Sequence, residues 1–177
     1  MKARRVKGLT GDMRLDAAME RTVAARLDEL CAFMPGAADP AQVERLHDMR
    51  IAAKRLRYVL ELTGFCFGPY APKAAKRARQ LQELIGEIHD CDVGLPRVMA
   101  LRAAIAADDP AVAGLDAVEQ RLRARRDERF ADFLELWRKL SREGFRARLE
   151  FAIGERAEPP RNHAVLPGSS VPSDGRG

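Results

Sequence analysis

Residues 43–61 read VERLHDMRIAAKRLRYVLE. At about 100° per residue, the helical period gathers the apolar residues of this stretch on one stripe. The stripe contains Leu46, Met49, Ala53, Leu56 and Leu60. Apolar residues at three- and four-residue spacing are typical of an amphipathic helix whose apolar side faces a core. The stretch therefore predicts a core-packing helix.

The same stretch also carries a row of basic side chains. The helical wheel places them opposite the apolar stripe, within an arc of about 80° and over a length of about 15 Å. The members of this basic row are His47, Arg50, Lys54 and Arg57. Like charges on neighbouring turns repel by roughly 0.2–0.5 kcal/mol per pair, and only Glu61 extends the row with an acid. We therefore expect the row to face an anion that spans several turns, although a solvated surface is the ordinary alternative.

The composition of the 177-residue chain favours helices. Ala, Leu, Arg and Glu dominate, and aromatic residues make up only 6%. We expect an all-α fold, an antiparallel bundle of five or six helices in one domain. The periodicity places helices over residues 12–34, 40–62 and 72–89, then a fourth that follows residues 90–96 and ends near residue 107, then residues 110–140 and a short helix ending near residue 153. Residues 1–11 form a predicted N-terminal arm, residues 12–153 the helical domain, and residues 154–177, rich in Pro, Gly and Ser, a predicted disordered tail.

Two Asp-Pro pairs mark predicted helix starts. Asp39 and Asp109 are candidates for N-cap residues, and Pro40 and Pro110 follow them at the first helical position.

Positive charge is concentrated in one part of the chain. The whole chain has a net charge of +5, whereas residues 41–82 contain nine Lys and Arg but three acids, a net charge of +6. Such a surface attracts polyanions such as nucleic acid, anionic lipid or phosphate polymers. Part of this charge is a second cluster in the predicted third helix, comprising Lys73, Lys76, Arg77 and Arg79. If the second and third helices form an antiparallel hairpin, the two basic sets flank one groove.

The long helix after residue 110 carries three further arginines at four-residue spacing. Arg121, Arg125 and Arg129 form either a third wall of the groove or, because Asp127 and Glu128 lie among them, a salt-bridged surface.

Two motifs in this order resemble the CHAD domain, a family of helical domains with characteristic histidines and charged residues. They are His47-x-x-Arg50-x-x-x-Lys54-Arg55-x-Arg57-Tyr58 and Leu81-Gln82-x-Leu84-Ile85-Gly86-x-x-His89-Asp90-x-Asp92-Val93. The resemblance is specific over about residues 43–99. It implies two helical bundles related by pseudo-twofold symmetry, with Lys, Arg and His side chains binding inorganic polyphosphate in a basic cavity.

The resemblance also assigns roles to individual residues. It implies that His47, Arg50, Lys54 and Arg57 contact phosphates, with Arg55, Lys76, Arg79 and His89 as further candidates. Gln82 and Gly86 match motif positions that we interpret as structural, with Gly86 allowing a close approach of helices or a kink.

This chain departs from the family pattern because the His–Arg–Lys row occurs once rather than twice. Three explanations are open: the second half is degenerate, two chains complete one cavity as a homodimer, or the chain is a truncated member. No tunnel domain precedes the CHAD-like part, so we expect any partner triphosphate-processing enzyme to be a separate chain.

Two other functions compete with a non-catalytic polyphosphate-binding module. The pairs His47-Asp48 and His89-Asp90 superficially resemble those of metal-dependent phosphohydrolases, but the surrounding cations disfavour a metal. We therefore expect no enzyme activity, no metal and no cofactor. The basic surface also allows nucleic-acid binding, which the scarcity of aromatic residues for base stacking disfavours.

The three cysteines are widely spaced and fit a reducing cytoplasm. No signal core or membrane-length apolar run occurs in the sequence. We expect a cytoplasmic protein, with association with polyphosphate granules as an open possibility and no membrane partner.

Overall fold

A computed structural model describes residues 2–155, and this part of the chain folds as an all-α bundle without strands. The five helices are α1 Leu15–Cys31, α2 Val43–Thr63, α3 Tyr70–Ala104, α4 Val112–Arg142 and α5 Phe145–Gly154. Short 3₁₀ turns at Gly36–Ala38 and Gly64–Cys66 lie before and after α2. The all-α prediction is confirmed, whereas most of the predicted tail lies outside the described residues.

The core forms where the apolar periodicity placed it. All five stripe residues of α2 are buried, and so is the corresponding stripe of α3, which comprises Ala74, Ala78, Leu81, Ile85 and Ile88. Phe133 of α4 and Leu149 of α5 are fully buried in the same cluster. Burying a large apolar side chain stabilises the fold by about 1.5–3 kcal/mol. The bundle is therefore held together mainly by these apolar stripes.

Helices α2 and α3 form the antiparallel hairpin on which the predicted site depends. His47 near the start of α2 contacts His89 in the middle of α3, whereas Glu61 near the end of α2 contacts Arg79 near the start of α3. The whole length of the basic row therefore lies beside α3.

The predicted break between a third and a fourth helix is wrong, because α3 continues from Tyr70 to Ala104 with Pro96 inside it. A proline inside a helix removes one backbone hydrogen bond and costs about 3 kcal/mol. Helix α4 runs antiparallel along α3 and contacts it on both sides of the proline, through Arg126 with Asp92 and through Asp116 with Arg102. This packing offsets the cost, and no local pattern reveals it.

The two Asp-Pro pairs mark helix boundaries but not the first helical residue. Asp39 Oδ1 accepts a hydrogen bond from the backbone N–H of Ala41 at 2.9 Å, and α2 begins at Val43. Asp109 Oδ1 accepts one from Ala111 at 2.8 Å, just before α4. Each aspartate stabilises a turn that precedes the helix rather than capping the helix itself.

Candidate functional site

The basic row lies on the flank of α2 that faces α3. His47, Arg50 and Arg57 are half-buried and Lys54 is exposed. By the helical period itself, the centre of the row lies about 100° from the centre of the core stripe, not opposite the stripe as predicted. Helix α3 packs along this flank and covers three of the four side chains.

At the first end of the row, His47 and His89 bring their rings together across the two helices. The ring centroids are 4.4 Å apart, with the planes tilted by 38°. His47 Nδ1 is buried and has no hydrogen-bond partner among the described residues. Burial lowers the pKa of His47, His89 and Arg50 lower it further, and Asp48 opposes them. The uncharged imidazole is therefore favoured here unless an anion stabilises the charged form.

One turn further along α2, Arg50 occupies the space that Gly86 leaves on α3. A Cβ atom at residue 86 would lie 3.2 Å from Arg50 Nε, a tight contact. Arg50 Nε is itself buried and has no hydrogen-bond partner in residues 2–155. The interpretation of Gly86 as a point of close approach fits this geometry, because the small residue makes room for the guanidinium while α3 continues as a helix.

The middle and far end of the row differ in how their charge is compensated. Within residues 2–155, neither Arg50 nor Lys54 forms an ion pair with a carboxylate. Arg57 Nε, in contrast, donates to Glu61 Oε1 at 3.1 Å, and Arg79 Nη2 donates to the same oxygen at 2.7 Å. Arg79 and Arg57 lower the pKa of Glu61. The uncompensated charge is therefore concentrated towards the His47 end.

Two side chains tie Arg57 in place. Its Nη1 donates to Gln82 Oε1 at 3.0 Å, which gives Gln82 a positioning contact across the two helices. Its Cζ lies 4.7 Å from the Tyr58 ring centroid, and Lys54 Nζ lies 5.6 Å from the same ring. Both are cation–π distances. The predicted site did not include Tyr58, although its four-residue spacing from Lys54 signals this contact.

Two of the eight candidate residues lie away from this row. Arg55 is on the α1 side of α2, where its Nη1 donates to Glu29 Oε1 at 2.8 Å. Glu29 is only 2% exposed and also pairs with the buried Arg26. Lys76 is exposed on α3 and lines a cavity together with Arg79 and Glu61. The structure thus brings together the other six: His47, Arg50, Lys54, Arg57, Arg79 and His89.

A comparison with protein-family models matches the CHAD domain over residues 5–98, just over half of the chain. This chain belongs to the CHAD domain family. A search of the curated proteins found no match, and a search of the solved structures found none either. The CHAD match contains the whole basic row and His89, and it ends inside α3 at Val98. Helices α4 and α5 lie beyond it.

Two of the three α4 arginines singled out from the sequence, outside the CHAD match, form ion pairs. Arg125 pairs with Glu87 of α3 at 3.1 Å, and Arg129 pairs with Glu128 at 2.9 Å and Asp132 at 3.2 Å. Of the two interpretations left open for these arginines, the geometry favours a salt-bridged surface at these two positions.

Within residues 2–155 of the CHAD protein, no three His, Cys, Asp or Glu side chains converge in a way that could hold a metal ion. None of the helices in this range combines the length and the apolar character needed to cross a membrane.

Proposed function

We propose that this CHAD protein binds inorganic polyphosphate, without catalysing a reaction on it, in a basic groove between α2 and α3. The observation that carries the proposal is a pair of buried nitrogens on one flank, His47 Nδ1 and Arg50 Nε, that have no hydrogen-bond partner among the described residues. A buried polar group without a partner costs about 1–3 kcal/mol. Phosphate oxygens would accept a hydrogen bond from Arg50 Nε, and also from His47 Nδ1 in the charged imidazole, in which both ring nitrogens are donors.

A chain of phosphates suits the arrangement better than a single compact anion. The row extends for about 15 Å along α2. A guanidinium can bind phosphate oxygens in a two-pronged fashion, and an ammonium adds a point charge. Arg50 and the exposed Lys54 supply one of each, one turn apart and without a carboxylate partner in residues 2–155. Several phosphate units can therefore be held at once.

The candidate residues are expected to contribute unequally. Arg57 and Arg79 share Glu61, whose negative charge opposes an anion at that end of the groove. Arg55 is held by Glu29 on the other side of α2. We therefore assign the main phosphate contacts to His47, Arg50 and Lys54.

Calorimetric titration with polyphosphates of defined length tests this assignment. We expect Arg50→Ala and Lys54→Ala each to weaken binding with little loss of helicity, because neither side chain belongs to the core stripe. Arg138→Ala, which removes an exposed cation of α4, is the matched control and should bind like wild type. Unchanged affinity in both row variants would place the site elsewhere.

Two further measurements separate this proposal from its competitors. Duplex DNA at matched phosphate concentration should bind more weakly than polyphosphate, and stronger DNA binding would favour a nucleic-acid function. Incubation of polyphosphate with divalent metal ions and protein should release no phosphate, and metal-stimulated release would favour a phosphohydrolase.

Because the basic row occurs once in this chain, a second row would have to come from another chain. A homodimer would bring two rows to one cavity. Sedimentation of the protein with and without polyphosphate would detect such a dimer.

A further inference from the structure

A second set of cations surrounds a cavity between the first turns of α3 and the turn that joins α4 to α5. The cavity has a volume of about 500 Å³. Its charged lining consists of Lys73, Lys76, Arg77, Glu143 and Arg148. Four cations against one carboxylate give this lining a net charge of +3. A concave surface with such an excess attracts anions.

The single carboxylate of the lining is already engaged by one of the arginines. Arg77 Nη2 donates to Glu143 Oε2 at 2.9 Å, while its Nη1 donates to Gln80 at 3.1 Å. The other three cations, Lys73, Lys76 and Arg148, have no ion pair with any carboxylate of residues 2–155. Their mutual repulsion raises the free energy of the empty cavity, and a bound anion would offset it.

The cavity also contains a neutral hydrogen-bond donor. The half-buried Tyr70 lies at the start of α3 and lines the same cavity. Burial raises the pKa of its hydroxyl, whereas the nearby charges of Arg148 and Arg77 act in the opposite direction. The phenol therefore stays protonated at neutral pH, where it can donate to a phosphate oxygen.

The cations of α3 form a continuous path from the α2 side to this cavity. On a helical wheel at about 100° per residue, four cations lie next to one another over an arc of about 160° on the exposed side of α3. In order around the helix they are Arg79, Lys76, Lys73 and Arg77. Lys76 lines both this cavity and a second cavity of about 540 Å³ that contains Arg79 and Glu61. An anion leaving the α2–α3 groove therefore meets a cation at each step around the helix.

The path has a boundary along α3. Glu83 and Asp90 occupy the same angular range in the following turns, where they repel an anion, and Glu87 between them is paired with Arg125. The charge pattern thus directs an anion around the first three turns rather than along the helix.

We infer that the cavity between α3 and α5 is a second phosphoryl-binding subsite, which takes a part of a polyphosphate chain that extends beyond the α2–α3 groove. The inference rests on the proposed function, in which the α2–α3 groove binds the first part of the polyphosphate. Arg148 and Glu143 lie outside residues 5–98, whereas Lys73, Lys76 and Arg77 lie inside them, so the CHAD match contains only part of this subsite. The α4–α5 part of the chain completes it.

The test follows two glycine amides by nuclear magnetic resonance during titration with inorganic tripolyphosphate. Gly86 lies beside Arg50 and reports on the groove, and Gly144 lies at the start of α5 beside Arg148 and reports on the subsite. We expect both signals to shift in the wild type. Arg148→Gln should suppress the Gly144 shift and preserve the Gly86 shift, and Lys73→Gln should weaken the Gly144 shift. Arg138→Gln, an exposed α4 cation that lines neither cavity, is the control.

A second measurement uses long-chain polyphosphate, for which we expect Arg148→Gln to lower the affinity about tenfold and the salt slope by about one. The subsite is overturned if the Gly144 signal does not shift, or if Arg148→Gln binds long polyphosphate as tightly as Arg138→Gln. In either case, a shift of the Gly86 signal would still support binding in the α2–α3 groove. If Gly144 alone responds, the subsite stands as an anion site and the proposed groove fails.

Discussion

The two sides of α2 give arginine residues opposite roles. On the α3 side, Arg50 extends a buried Nε into a space left by a glycine, with no hydrogen-bond partner for that nitrogen in residues 2–155. On the α1 side, Arg55 pairs with Glu29, a carboxylate that Arg26 also binds. The backbone N–H of Arg4 lies 3.4 Å from Glu29 Oε1 as well. On one side an arginine nitrogen has no hydrogen-bond partner in residues 2–155, while on the other the anion that pairs with the arginine is part of the protein.

The comparison teaches that a cation on a helix becomes a binding group or a structural group according to its neighbour. Glu29 satisfies Arg55 from within the chain, so an additional phosphate would gain little there. Arg50 lies beside Gly86, whereas Arg55 lies beside Glu29. The charge of Arg50 therefore remains available to a ligand. The following predictions test this contrast, beginning with the largest expected effect.

Glu29→Ala should destabilise the fold strongly. Removing the carboxylate leaves Arg26 and Arg55 without their shared partner, and breaking a buried ion pair costs about 3–5 kcal/mol. Urea denaturation should show this loss in the free energy of unfolding. The control is Glu150→Ala, which removes an exposed pair with Arg146 and should cost no more than about 1 kcal/mol. Equal effects of the two variants would contradict a structural role for the α1 side.

Gly86→Ala should weaken polyphosphate binding without destabilising the protein. The new methyl group would lie 3.2 Å from Arg50 Nε and force the guanidinium to move. Alanine is preferred to glycine in a helix by about 1 kcal/mol, so unfolding should require the same or more denaturant. Gly114→Ala in α4, where an added Cβ meets nothing within 4 Å, should leave binding unchanged. A variant that retains wild-type affinity would show that the position of Arg50 does not matter.

The affinity for long polyphosphate should rise as the pH falls from about 8 to about 5.5, on either side of the ordinary histidine pKa of about 6.5. Without ligand, burial together with His89 and Arg50 keeps the pKa of His47 below its ordinary value, with only Asp48 opposing. A bound anion stabilises the imidazolium and raises that pKa, so binding takes up a proton. Each unit of difference between the bound and free pKa values increases the affinity about tenfold at low pH.

The matched variant for this pH effect is His47→Gln, which should bind with a nearly flat pH profile at constant ionic strength. Long chains are used because their internal phosphates do not titrate in this range. A pH dependence that persists unchanged in His47→Gln would assign the effect to another group.

The smallest effect is expected where a cation is already paired. Arg125→Gln removes an exposed arginine that pairs with Glu87 of α3, and we expect less than a twofold change in polyphosphate affinity. Lys54→Gln removes one cation that has no carboxylate partner in residues 2–155, and should reduce the slope of log affinity against log salt by about one. Equal salt slopes for the two variants would remove the distinction between paired and unpaired cations.

Much of the α2–α3 hairpin could be predicted from the sequence. The apolar stripes of both helices follow from residue spacing, and every predicted member of the two stripes is buried. The continuous α3 could not be predicted, because Pro96 is a local signal for a break while the contacts that maintain the helix come from residues of α4 such as Arg126. The predicted position of the basic row opposite the stripe is wrong by the helical period alone, which separates their centres by about 100°. Which helix covers that flank could not be predicted, because a wheel of one helix does not show where its neighbour packs.

The sequence by itself determined that this is a helical protein with its positive charge concentrated in residues 41–82 and with four basic or titratable groups on one arc of α2. These properties are set by composition and by the helical period, which act over a few residues. Only the tertiary structure decided which cations are neutralised, because Glu29 reaches Arg55 across 26 positions and Glu143 reaches Arg77 across 66. Ion pairs between helices depend on how the helices pack, and the packing is a property of the whole core.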